Sequence, residues 1–97
     1  MLTHIVIWKY RADASEEDRR RHVEMLRRLR SLIPDINSLE VGFDTLHLAR
    51  SYDTGLVAVF PDRAALDAYT VHPEHVAVVE FGRNFAEHIA SVDFESE

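Results

Sequence analysis

Two short stretches of this chain are apolar on both faces, and two others alternate strictly between apolar and polar. "THIVIWKY" (residues 3–10) sets Ile5 and Ile7 on one side and His4, Val6, Trp8 and Tyr10 on the other. "LVAVF" (56–60) is equally apolar all round. Successive strand residues point to opposite faces, so segments of this kind belong at the centre of a sheet covered on both sides. "INSLEVGFDTL" (36–46) instead sets Leu39, Val41 and Phe43 against Ser38, Glu40, Gly42 and Asp44. "IASVDFE" (89–95) sets Ala90, Val92 and Phe94 against Ser91, Asp93 and Glu95. Each of these has one wet face and suits an edge.

The intervening segments change period. In "ADASEEDRRRHVEMLRRLRSLIP", Ser15 is a good N-cap and Glu16, Glu17 and Asp18 complement the positive end of a helix. His22, Val23, Leu26, Leu29 and Ile33 recur at helical spacing as an inward stripe, and Pro34 stops the helix. Pro61-Asp62 opens a second helical region with Leu66 and Tyr69 on one side. Pro73 interrupts it, and "PEHVAVVEFGRNFAEH" continues helically through Val76, Val79 and Phe81. "HLARSYDTG" is a polar, turn-like connection. The order is β-α-β-β-α-β. Short connections and right-handed crossovers turn it into an α+β ferredoxin-like antiparallel sheet of order 4-1-3-2, one domain over residues 1–97.

Helices on one side of such a sheet leave the face carrying Ile5 and Ile7 bare. A chain of 97 residues buries only roughly 60–65% of the surface its unfolded form exposes, so an uncovered apolar face matters. A second copy laid sheet to sheet would hide it, and a homodimer forming a dimeric α/β barrel is expected.

Composition narrows the function. Hydrophobic residues make up 46% and charged residues 29%, an ordinary globular balance. A net charge of -6 argues against nucleic acid as a partner. The first helix carries six arginines from Arg19 to Arg30, but four acids share it, and a solvated face is expected. There is no cysteine, which excludes thiolate chemistry and disulfides. No apolar run is long enough for a membrane span, and the start lacks a basic n-region and cleavage site. No membrane partner is expected, and the expected location is cytoplasmic.

"HIVIWKY", the proline ending the first helix, "AYTVHPEHV" and the late "VDF" together resemble the stress-responsive A/B barrel (Dabb) family over nearly the whole chain. The Tyr-x-x-His-Pro-x-His run is the most restrictive piece. The resemblance implies a homodimer whose two sheets close into a barrel with helices outside, and no cofactor. Most members have no assigned chemistry, while one plant branch holds a polyketide cyclase that closes a linear tetraketide by aldol condensation. Its catalytic residues correspond to His4, Tyr69 and His75 of this sequence. A further histidine of the cyclase falls near Thr54, so that partner is missing. The cyclase's cavity-lining residues correspond to Val6, Trp8, His22, Val23 and Leu26.

Two readings of the histidine motif stand side by side. His75 takes a proton from an acidic carbon while Tyr69 orients a carbonyl oxygen, as a near-neutral imidazole suits; or Tyr69 is core and His75 holds a backbone carbonyl. His4, on an apolar strand face, either pairs with His75 or is a satisfied core residue. His72 precedes a proline and marks the helix break. His72 and His75 find no third ligand at a recognisable spacing, so no metal site is expected. The expected function is a stress-associated homodimer binding a small apolar or carbonyl-containing ligand between sheet and helices. The alternative is a cofactor-independent enzyme, cyclase-like or monooxygenase-like, with His75 as base and Tyr69 steering the carbonyl.

Overall fold

The computed structural model describes residues 1–97. In chain order the elements are β1 (Leu2–Tyr10), α1 (Glu16–Leu32), β2 (Ser38–Phe43), β3 (Thr54–Phe60), α2 (Arg63–Val71), α3 (Pro73–Arg83) and β4 (Ala86–Glu95). The four strands form one antiparallel sheet in the order β2-β3-β1-β4, the ferredoxin-like arrangement expected from the face pattern. The apolar strands β1 and β3 are central, and the alternating strands are the edges.

The helices start and stop where side chains satisfy backbone groups that have no partner within the helix. The Ser15 hydroxyl accepts the Asp18 amide at 3.0 Å, and Asp62 accepts the Ala65 amide at 2.9 Å. His72 does two jobs. It caps the C-terminus of α2, and its Nδ1 accepts the Glu74 amide at 3.1 Å to start α3, with Pro73 at the first helical position.

All three helices lie on one side of the sheet, facing His4, Val6, Trp8 and Tyr10. The α1 stripe of His22, Val23, Leu26 and Leu29, with Ile33 just beyond, is buried against Leu56, Ala58, Phe60 and Tyr69. The opposite sheet face carries Ile5, Ile7, Val57, Val59, Val92 and Phe94, which the strand registers place side by side. Val57, Val92 and Phe94 are 42%, 53% and 46% exposed, so this apolar surface faces water in the single chain. No helix is long and apolar enough to cross a membrane.

Two details differ from the sequence reading. The last helix ends at Arg83, not His88, and β4 begins at Ala86 instead of Ile89. The Arg11 amide donates to the Phe85 carbonyl at 2.8 Å, and Ala86 pairs with Tyr10 beyond a register shift in β1. Pairing with the end of a central strand therefore wins over the local helical pattern of "NFAEH", and Phe85 becomes core. On α3 it is Val78 and Gly82 that are buried, while Val76 is exposed.

Candidate functional site

The break between α2 and α3 brings Tyr69 and His75 together. Six residues along an unbroken helix would set them about 120° apart around the axis. The restart at His72-Pro73 instead packs the two rings at a centroid distance of 4.3 Å. Thr70 lies in the last turn of α2, where carbonyls have no partner within the helix. Its carbonyl accepts a hydrogen bond from His75 Nδ1 at 3.1 Å. A carbonyl can only accept, so Nδ1 carries the proton and Nε2 keeps its lone pair. Burial pushes the His75 pKa below its usual value, partly offset by the Thr70 carbonyl, and the nearby charges of His4 and His72 lower it further. His75 is therefore a neutral imidazole with a free basic nitrogen at neutral pH.

Tyr69 is 1% exposed, packed on Phe60 at 5.0 Å and edge-on to His4 at 6.0 Å. Burial pushes its hydroxyl up to about 12, so it stays protonated and can donate. His4 projects from β1 on the same side. Its cross-strand partner on β4 is Asp93, and Nδ1 of His4 hydrogen-bonds the Asp93 carboxylate. That contact holds the ring in one orientation, as a carboxylate behind an imidazole does generally. Asp93 escapes sequence reading because 89 residues separate the pair, and only the β1–β4 register joins them.

These groups border a cavity of about 220 Å³ between the sheet and the helices. Val6, Trp8, Leu26, Leu56 and Val78 supply apolar walls, and His4, His22, Tyr69, Thr70 and His75 the polar atoms. The exposed Ile89 and Ser91 of β4 place its mouth beside that edge strand. Of the residues singled out from sequence, His4, Val6, Trp8, His22, Leu26, Tyr69 and His75 border this cavity. Val23 does not; it is packed in the core. A larger, shallower depression of about 920 Å³ runs along β2, where Arg27 donates twice to the Val41 carbonyl. It holds no histidine, and its Ile7 and Val57 belong to the bare sheet face. No three His, Asp or Glu side chains converge as a metal site.

A family model for the stress responsive A/B barrel domain matches residues 2–96. The chain belongs to this family. Among solved structures, this Dabb chain is similar to a dimeric ferredoxin-like protein of unknown function from Bacteroides fragilis NCTC 9343, 28% identical, with a TM-score of 0.87 over 98% of this chain and 95% of that one. A dimeric ferredoxin-like protein from Jannaschia sp. CCS1 is 30% identical, with a TM-score of 0.77 over 98% of both chains. A hydroxynitrile lyase from Passiflora edulis has a similar fold at 15% identity, with a TM-score of 0.85 over 96% of this chain and 90% of that one. No curated protein matches the sequence.

Proposed function

We propose that this Dabb protein is a stress-associated homodimer that binds a small carbonyl-containing ligand in the cavity between sheet and helices. The convergence of the protonated Tyr69 hydroxyl, the free Nε2 of His75 and the Asp93-held His4 on one small apolar hollow carries the reading. Such a hollow suits a compact molecule with one polar end. The apolar walls accept its hydrocarbon part, Tyr69 donates to an oxygen, and His75 accepts from an acidic O–H or C–H. Support for the dimer comes from the bare face of Ile5, Ile7, Val57, Val59, Val92 and Phe94 and from the dimeric state of the Bacteroides fragilis and Jannaschia proteins.

A second reading has one observation in its favour. The Thr70 carbonyl fixes His75 with its basic nitrogen free, which is the state a general base requires. In that reading His75 removes a proton alpha to the ligand's carbonyl while Tyr69 donates to the developing enolate oxygen.

Pentane-2,4-dione, a small β-diketone, tests both. Its addition should move the His75 and Tyr69 ring signals in NMR spectra, and His75→Ala should weaken binding about tenfold or more. Exchange of its central C–H protons into D₂O, accelerated by the wild type and not by His75→Ala, selects the enzyme. Binding without acceleration leaves the binding protein. Undisturbed cavity signals at millimolar ligand would remove the carbonyl reading.

A further inference from the structure

Behind Trp8, on the α1 side of the cavity, sits a buried polar chain that the proposed chemistry does not use. The Tyr10 hydroxyl lies 2.7 Å from His22 Nδ1 and 2.8 Å from Thr54 Oγ1. All three residues are buried. Two arrangements are possible, and each leaves one proton without an acceptor in the protein, so the choice rests on where that proton sits and on donor and acceptor strength. If His22 Nδ1 donated to Tyr10, the phenol would donate to Thr54, and the Thr54 proton would be left with no acceptor. If Thr54 donates to Tyr10 and Tyr10 donates to Nδ1, every hydroxyl proton has a partner and the proton left over is on His22 Nε2, an atom that is not sealed. A phenol is also the stronger donor and an imidazole nitrogen the stronger acceptor. Nδ1 of His22 is therefore the acceptor, and Nε2 carries the proton.

Nothing in the protein accepts that proton, yet no sealed side-chain nitrogen or oxygen in the molecule lacks a partner. Nε2 must therefore keep an opening, and the surface that His22 borders is the cavity. Beside it lies Gly82, where a Cβ would come within 2.9 Å of Nε2. Gly82 is buried against this edge of the ring, and any larger side chain there would press on Nε2.

Building on the carbonyl reading of the cavity, we propose that His22 is its neutral hydrogen-bond donor, held as the Nε2–H tautomer by Tyr10 and Thr54, and that it takes a ligand oxygen at the Trp8 end. Tyr10 and Thr54 are positioning residues that never touch the ligand. His22 and His75 then present opposite tautomers to one hollow, a donor and an acceptor. The ligand class this pairing fits is a carbonyl compound carrying an acidic C–H or O–H a few bonds away. Burial pushes His22 down to about 4, so the donor stays neutral across the physiological range and does not compete with His75 for protons.

The test uses the full-length ¹⁵N-labelled protein and two probes of similar shape, acetophenone and ethylbenzene. Long-range ¹H–¹⁵N correlation at pH 7 should show His22 Nδ1 as unprotonated and Nε2 as protonated, and Tyr10→Phe should turn this into a tautomer mixture. Acetophenone should shift the Nε2 signal and ethylbenzene should not. In His22→Phe, the preference for acetophenone over ethylbenzene should fall roughly three- to tenfold, the worth of one neutral hydrogen bond. A protonated Nδ1 in the wild type would overturn the proposal. So would an undiminished acetophenone preference in His22→Phe, and with His75-dependent binding intact that result removes His22 alone. Failure of acetophenone to bind the wild type removes the carbonyl reading and this inference together.

Discussion

At the scale of single residues, burial and local hydrogen bonds decide what each histidine can do. His72 spends its Nδ1 on a helix cap, His75 spends its Nδ1 proton on the Thr70 carbonyl, and His22 spends its Nδ1 lone pair on Tyr10. His72 does not border the cavity, whereas His75 and His22, like the Asp93-held His4, each line it with one ring nitrogen unspent. His22 also makes stability depend on pH. Its pKa is about 4 in the folded chain against about 6.5 unfolded, so the unfolded state binds more protons between those values. Stability is full above pH 6.5 and falls as the pH drops through this window, with His75 adding to the loss in the same direction. Urea unfolding at pH 7 and pH 5 should show a difference of about 1–2 kcal/mol, reduced in His22→Phe. The same depression of His75 predicts that any His75-dependent ligand binding persists below pH 6.5 and fails only at more acid values. The inward position of His22 is readable from its helical spacing. Its tautomer is not, because Tyr10 and Thr54 reach it from two different strands.

At the scale of elements, the helix break is the feature that makes the site. His72 and Pro73 are readable as a break from sequence alone, since proline restricts the residue before it and starts helices well. What the break achieves, the close packing of the Tyr69 ring against His75, requires the direction in which α3 leaves. His72→Ala should lose the cap to the Glu74 amide and cost about 0.5–1 kcal/mol, with Asp at the same position restoring it; thermal unfolding reads both. Gly82→Ala is a sharper probe of how α3 packs on α1. Alanine is worth about 1 kcal/mol more than glycine within a helix. Here its Cβ would meet His22 Nε2 at 2.9 Å, and the ring is tied to Tyr10 and cannot swing away freely. A net loss of stability is expected, along with a disturbed His22 signal. The boundary at β4 was not readable, because a helical pattern through His88 competes with pairing to Tyr10, a contact invisible along the chain.

At the scale of the whole molecule, the decisive quantity is the apolar area left on the open side of the sheet. Burying a fully exposed Val or Phe is worth roughly 1.5–3 kcal/mol, and those on this face, already about half buried, each stand to gain roughly half of that, with several lying together. A charge placed among them should be well tolerated by a single chain and poorly by a pair. Val57→Lys or Val92→Glu is therefore expected to give a folded 11.2 kDa particle by sedimentation, where the proposed homodimer predicts that the wild type sediments at twice that mass. A wild type that stays single at micromolar concentration would remove the homodimer.

Periodicity alone determined which strands are central and which are edges, the inward stripe of α1 and the oily face, because each follows from which side chains share a side of one element. Contacts between elements came only with the folded chain. Asp93 reaches His4 through a sheet register, Tyr10 and Thr54 dictate where the proton sits on His22, and the carbonyl of Thr70 does the same for His75. Spacing along a chain carries the direction of a side chain but not the identity of the atom it meets, and on a buried imidazole it is that atom which chooses between donor and acceptor.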